Sequence, residues 1–206
     1  MLKSKNLNDT ELNDYAEQHI QYEYDMLLWS SRILGVFRVK PFGYISHTIH
    51  DALLNTFAIH SRNLLGFLFD GPRNALRDNS ISIENYIDIT TLDEIRPPIS
   101  DSIDLVFKKA GKQVAHLTTE RIEYEASFDE KAWHFVGILK EIMNLLSIIV
   151  PHIPDERMSS SLKTKLSNTT IESPLIQVSL LVNETKENNV VGLNIFMNPE
   201  IPVRIE

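Results

Sequence analysis

The chain has 206 residues, 43% of them hydrophobic, no cysteine and a formal net charge of -8. That length supports one well-buried core with at most a small appendage, and the lack of cysteine excludes disulfide scaffolds, thiolate catalysis and cysteine-ligated metals. The negative charge opposes long-range attraction to a phosphate backbone, so any contact with RNA must be confined to a local basic patch. The N-terminal MLKSKNLNDTEL holds no apolar stretch of signal-peptide length, and no run elsewhere approaches the roughly 20 residues of a membrane span, so a cytoplasmic protein with no membrane contact is expected.

Up to about residue 150 the pattern is helical. Asn8 followed by Glu11 has the form of a capping box, and Leu12, Tyr15, Ala16, Ile20, Met26, Leu27, Ile33 and Leu34 mostly keep helical spacing, which predicts a first helix over 9–34 that stops at Gly35. A second helix is predicted from Ser46 to Phe69, closed by DGP. Its stripe of Ile49, Leu53, Phe57, His60, Leu64 and Phe67 is joined by another of Leu54, Ala58, Leu65 and Leu68, so it should be the most buried helix.

Residues 71–99 form a long connection, with SIENY as a short helix and RPPIS forcing extended backbone. Connections of this length are uncommon, so this one is either functional or packed across a helix pair. Ser100 or Asp101 then caps a third helix over 101–118, with Ile103, Phe107, Ala110, Val114 and Leu117 as its stripe. Ser127 and Glu130 suggest another capping box, opening a fourth helix through KAWHFVGILKEIMNLLSIIV to Pro151.

Past Pro154 the stretch DERMSSSLKTKLSNTT reads as a polar, mobile linker, and LIQVSLLV and VVGLNIFM, separated by NETKENN, read as a β-hairpin over 175–197. A lone hairpin is marginal in water, so it should dock on the helices or on a partner. The expected fold is therefore mainly α: an up-down bundle of four or five helices over 1–154, with a polar linker and β-hairpin extension over 155–206. Only seven glycines are present and none cluster, which argues against a nucleotide-cradling loop, and no cofactor is expected.

Candidate chemistry gathers on two helices. Lys109, Lys112 and His116 fall at i, i+3 and i+7 on one face of the third. Two ammonium groups there would neutralise a phosphate while the imidazole exchanges a proton near neutral pH. The alternative is a solvated surface whose cations complement the helix C-terminus. His60 sits inside an apolar stripe, either as a core histidine donating to a carbonyl or aimed across the bundle at His116 and Arg121. Asn63 lies on the same side and would orient it, whereas Arg62 points elsewhere, to a structural ion pair or an anion clamp. Ser61 follows His60 directly, about 100° away around the helix, so the two form no Ser/His pair. His47, His50 and Asp51 have ligand spacing and resemble part of the three-histidine core of DinB-type bundles, but no second motif completes them and no metal is assigned.

A helix carrying HSRNLLGFLF, a long connection, and a helix ending KQVAHLT with an Arg just beyond resemble a group of uncharacterised prokaryotic bundle proteins. These are similar to the HEPN superfamily, whose signature often reads RNxxAH. The resemblance covers roughly residues 10–150 and leaves the hairpin unmatched. It implies a site formed across a dimer, where the Arg stabilises phosphate charge and the His assists attack by the neighbouring ribose hydroxyl without metal. Placing the AH of the motif on Ala115 and His116 puts Gly111 where the Arg belongs and Lys112 on the following polar position. Only His116 is in register, and Lys109, Lys112 or Arg121 would have to replace the missing cation, without the bidentate fork that arginine offers.

Two readings from different classes follow. The first is a non-catalytic interaction or dimerisation module, a homodimer acting with a protein partner in a toxin–antitoxin or phage-defence setting that only the resemblance suggests. The second is a metal-independent ribonuclease with His116, His60, Arg62 and Asn63 as its catalytic group and Lys109, Lys112 and Arg121 holding RNA. The enzyme requires His60, Asn63 and His116 to approach one cleft.

Overall fold

Leu12, Ala16, Ile20 and Tyr24 are all buried and recur every four residues. An α-helix turns through about 400° in four residues, so such a row drifts by about 40° per step and would wind off a single face. In the computed structural model, which describes residues 7–37, 43–69, 81–110, 133–168, 173–183 and 190–203, a wider turn absorbs this drift. Helix α1 (Asp9–Tyr15) passes through a π turn at Ala16–Ile20 into α2 (Gln21–Phe37), with the Gln21 N–H donating to the Ala16 carbonyl. A π turn advances each residue through a smaller angle than an α-helix does, and here it keeps the four-residue row pointing inward. The Asn8/Glu11 capping box is present in both directions, at 2.9 and 3.0 Å. The helix runs on through Gly35 to Phe37, two residues beyond the predicted stop.

Helix α3 (Gly43–Phe69) lies along α2. In its C-terminal half both predicted stripes are buried: Phe57, Leu64 and Phe67 on one, Ala58, Leu65 and Leu68 on the other. From residue 81 on, the connection that follows holds more regular structure than its composition suggests. A 3-10 turn at Ile83–Asn85 and a further helix, α4 (Ile89–Ile95), bury Ile83, Tyr86, Ile87 and Leu92. Asp88 caps α4, accepting from the Thr90 N–H, and hydrogen bonds from Thr90 hold its carboxyl below the usual aspartate range.

Hydrogen bonds from three residues, Tyr86, Arg96 and Arg157, show why this segment stays in place. The Tyr86 hydroxyl, whose pKa burial pushes up, donates to the Leu12 carbonyl at 2.8 Å, just ahead of the π turn. Arg96 donates to the Leu68 carbonyl at 3.1 Å, satisfying an orphan acceptor at the end of α3. Arg157 reaches the carbonyls of Asn85 and Tyr86 while its Nε pairs with Asp9 at 2.8 Å.

Helix α5 (Asp101–Lys109) is capped by Ser100, one of the two residues expected there, and buries Ile103, Val106 and Ala110 against α3. Val114, Leu117, Ser127 and Glu130 lie outside the described residues. Helix α6 (Phe135–Ile149) starts later than predicted, because Trp133 and His134 are not helical. By length and composition alone Phe135–His152 could cross a membrane. Here it contributes Leu139, Ile142, Met143, Leu145, Leu146 and Ile149 to the core and packs on α2, α3 and α5.

The predicted linker departs most from expectation. Residues 160–167 form α7 (Ser160–Ser167), capped by Ser159, and Met158, Leu162 and Leu166 are buried with α6 and α2 alongside. Polar ties reinforce the packing: Ser159 to Glu17, Lys165 to Asp25 at 2.7 Å, and Lys163 to Asp155, whose carboxyl that ammonium holds low. Two strand segments follow, β1 (Ser173–Asn183) and β2 (Val190–Val203). Among the described residues the chain is mainly helical.

Candidate functional site

The seam between α2 and α3 carries most of the polar groups of interest. Ser30 and Ser31 are buried on α2, and their hydroxyls donate back to the carbonyls of Met26, Leu27 and Leu28 on their own helix. Small side chains satisfied in this way leave room for close approach of a neighbouring helix. Ser61 on α3 is fully buried, and among the described residues its Oγ has no hydrogen-bond partner.

About two turns before Ser30, Glu23 of α2 makes the central contact. Its Oε2 accepts from His60 Nδ1 at 2.6 Å and from Asn63 Nδ2 at 3.1 Å. His60 and Asn63 are three apart on α3, so one helix face presents both donors to a single carboxylate oxygen. His60 is 8% exposed, and the Tyr22 ring stands edge-on to the imidazole, with centroids 5.6 Å apart. Asn63 is therefore beside His60 as expected, but Glu23 is the group that fixes the ring. A carboxylate oxygen can only accept, so Nδ1 is the donor in this contact. Arg62 is half-buried and does not join this cluster.

Glu23 escapes a reading of sequence because it lies in QYEYD, one position before buried Tyr24, where a carboxylate reads as the solvated edge of an amphipathic helix. The available hint is geometric: a charged residue flanking a buried stripe faces whatever helix packs there.

Lys109 departs from both expectations for its face. It is 7% exposed at the end of α5 and engaged in a contact of its own, so it is neither a solvated cation nor an open phosphate ligand. Lys112, His116 and Arg121 lie outside the described residues, as do Gly111 and Ala115. The approach of His60 and Asn63 to His116 is thus not part of the described geometry. His50 and Asp51 are both exposed, 3.6 Å apart, and the side chain of His47 lies outside the described residues. Among the described residues no group of three metal-ligating side chains converges. A second polar tie joins Ser100 and Ser102, at the start of α5, to the carboxylate of Glu141 on α6.

Comparison with family models, curated proteins and solved structures finds no match to this chain.

The Glu23 cluster makes a direct prediction. Glu23→Ala strands the Nδ1–H of His60 and removes the acceptor of Asn63, and should cost about 1–3 kcal/mol in urea unfolding with helix content unchanged. An unchanged midpoint would mean that the two donors find water as readily as the carboxylate.

Proposed function

We propose that this chain is a HEPN-like helical bundle of four or five helices with a C-terminal β-hairpin extension, working as a non-catalytic module that dimerises and acts with a protein partner. The observation that carries this reading is the use of His60. Its Nδ1 is tied to Glu23 of the neighbouring helix, and Asn63 shares the same carboxylate oxygen. Two of the four residues expected to form a catalytic group thereby hold helices together. Gly111, standing where the resemblance requires an arginine, supports the same conclusion, because lysine substitutes poorly for a bidentate cation at a phosphoryl transition state. A toxin–antitoxin or phage-defence setting has the resemblance as its only support.

A metal-independent ribonuclease is the second reading, and one observation favours it. A histidine whose Nδ1 is held by a carboxylate keeps Nε2 for proton transfer, the arrangement found in many general bases. That reading needs His116 and a cation from Lys112 or Arg121 to complete it. The DinB-like metal-binding alternative rests on the HTIHD spacing alone.

Self-association is the testable part of the favoured reading. Sedimentation velocity from about 1 to 100 µM should show a concentration-dependent dimer. A monomer throughout that range would overturn it.

A further inference from the structure

Several carboxylates are answered by cations of their own chain: Asp9 by Arg157, Asp25 by Lys165 and Asp155 by Lys163. Glu23 is not. Its Oε2 takes both His60 and Asn63, and among the described residues no lysine or arginine pairs with it and Oε1 accepts no hydrogen bond. The side chain is 25% exposed, and Oε1 is left to solvent. Glu141, by contrast, has one serine hydroxyl on each of its oxygens.

Apolar side chains stand beside this free oxygen. Glu23, near the start of α2, meets His60 and Asn63, near the end of α3, so the two helices run antiparallel. Both are right-handed, and in an antiparallel pair the residue just before each facing residue turns to the same side of the seam. Those residues are Tyr22 and Ile59, large apolar side chains that stay 53% and 44% exposed. The Tyr22 ring, edge-on to His60, fits that placement.

Charge identifies the occupant. A carboxylate oxygen beside an aromatic ring suits a cation that pairs with the oxygen while its stem lies along the ring. Arginine fits better than lysine, because its planar group stacks on a ring and donates sideways. The same oxygen repels phosphate, which disfavours RNA or an anionic membrane on this face. A net charge of -8 draws a basic partner in from a distance. We infer that the Tyr22, Glu23 and Ile59 face of the α2–α3 seam docks a protein partner through an arginine flanked by apolar residues, its guanidinium on Glu23 Oε1. The inference rests on the partner-binding module proposed above and names the chemistry of the partner.

The test uses the full chain and, as probe, a leucine–arginine–leucine tripeptide with blocked ends, beside the same peptide with citrulline, the neutral isostere of arginine. Titrated to about 20 mM and followed by nuclear magnetic resonance shifts, the arginine peptide should bind at millimolar concentration and the citrulline peptide at least about threefold more weakly. Tyr22→Ala, at an exposed position, and Glu23→Gln, which keeps an acceptor for His60 without the charge, should each weaken the arginine peptide by a similar factor, with far-UV circular dichroism unchanged. No binding by the wild type, equal binding of the citrulline peptide, or binding unaffected by Tyr22→Ala overturns the surface. So does a wild-type dimer that dissociates in Tyr22→Ala, since a second copy is then the occupant. A wild-type dimer indifferent to the peptide overturns this surface and leaves the dimerising module standing. A monomer that binds the peptide with these dependences overturns the dimer and supports the surface.

Discussion

Phe57→Ala should cost about 3–5 kcal/mol of stability, a large share of the roughly 5–15 kcal/mol available to a domain. Phe57 is fully buried on α3, and its ring meets Trp133 and Phe135 edge-to-face, with centroids 6.4 and 6.2 Å away. Truncation removes the buried ring's transfer free energy, leaves a cavity between α3 and the start of α6, and breaks two aromatic contacts worth about 0.5–1.5 kcal/mol each beyond their area. Because the contact joins segments about 76 residues apart, it is tertiary rather than local. Urea unfolding measures the loss, and near-ultraviolet circular dichroism should report a loosened tryptophan environment. A cost below about 1 kcal/mol would mean that α3 is not packed on this aromatic pair.

Leu166→Ala should cost about 2–5 kcal/mol, whereas Lys165→Ala, one position away, should cost no more than about 1 kcal/mol. Leu166 is fully buried with Leu162 and Met158, while the Lys165–Asp25 pair is more than a third exposed on both partners. Burial therefore dominates over charge in holding α7. If both substitutions are equally mild, residues 155–168 behave as the linker their composition suggests.

The same segment shows what the sequence allows a reader to see. DERMSSSLKTKLSNTT is dominated by serine, threonine and lysine, and averaging over it hides Met158, Leu162 and Leu166 at i, i+4 and i+8, one face of a helix. In α4 the apolar residues are too few to show a period, and its cap at Asp88 is the stronger signal. The helices with long apolar stripes, α1 to α3, α5 and α6, are legible through their periodicity, whereas their ends are less so: α2 runs on past Gly35 and α6 begins only at Phe135. The π turn is legible only in hindsight, through the four-residue spacing of Leu12, Ala16, Ile20 and Tyr24.

The polar cluster was half legible. His60 stands out as a lone imidazole in an apolar stripe, with Asn63 three residues on. Glu23 does not, because its partner lies 37 residues away and no local pattern links them. The burial of Lys109 is hidden for the same reason, since spacing gives a residue's face and says nothing of the depth of the groove it enters. Tyr86 is the most consequential omission: a fully buried tyrosine at the end of SIENY, where a short helix was expected but no core contact, ties the connection to the first helix through one hydroxyl.

The central claim is that the polar residues of this chain hold helices together and do not cut RNA. It is tested most directly by incubating the purified protein with varied single-stranded and structured RNAs in EDTA, beside His116→Ala and His60→Ala variants whose folding is confirmed by circular dichroism. The account predicts no cleavage above buffer for any of the three. Metal-independent cleavage by the wild type that vanishes in a folded His116→Ala variant would contradict it and make a cation other than the missing arginine part of a working site.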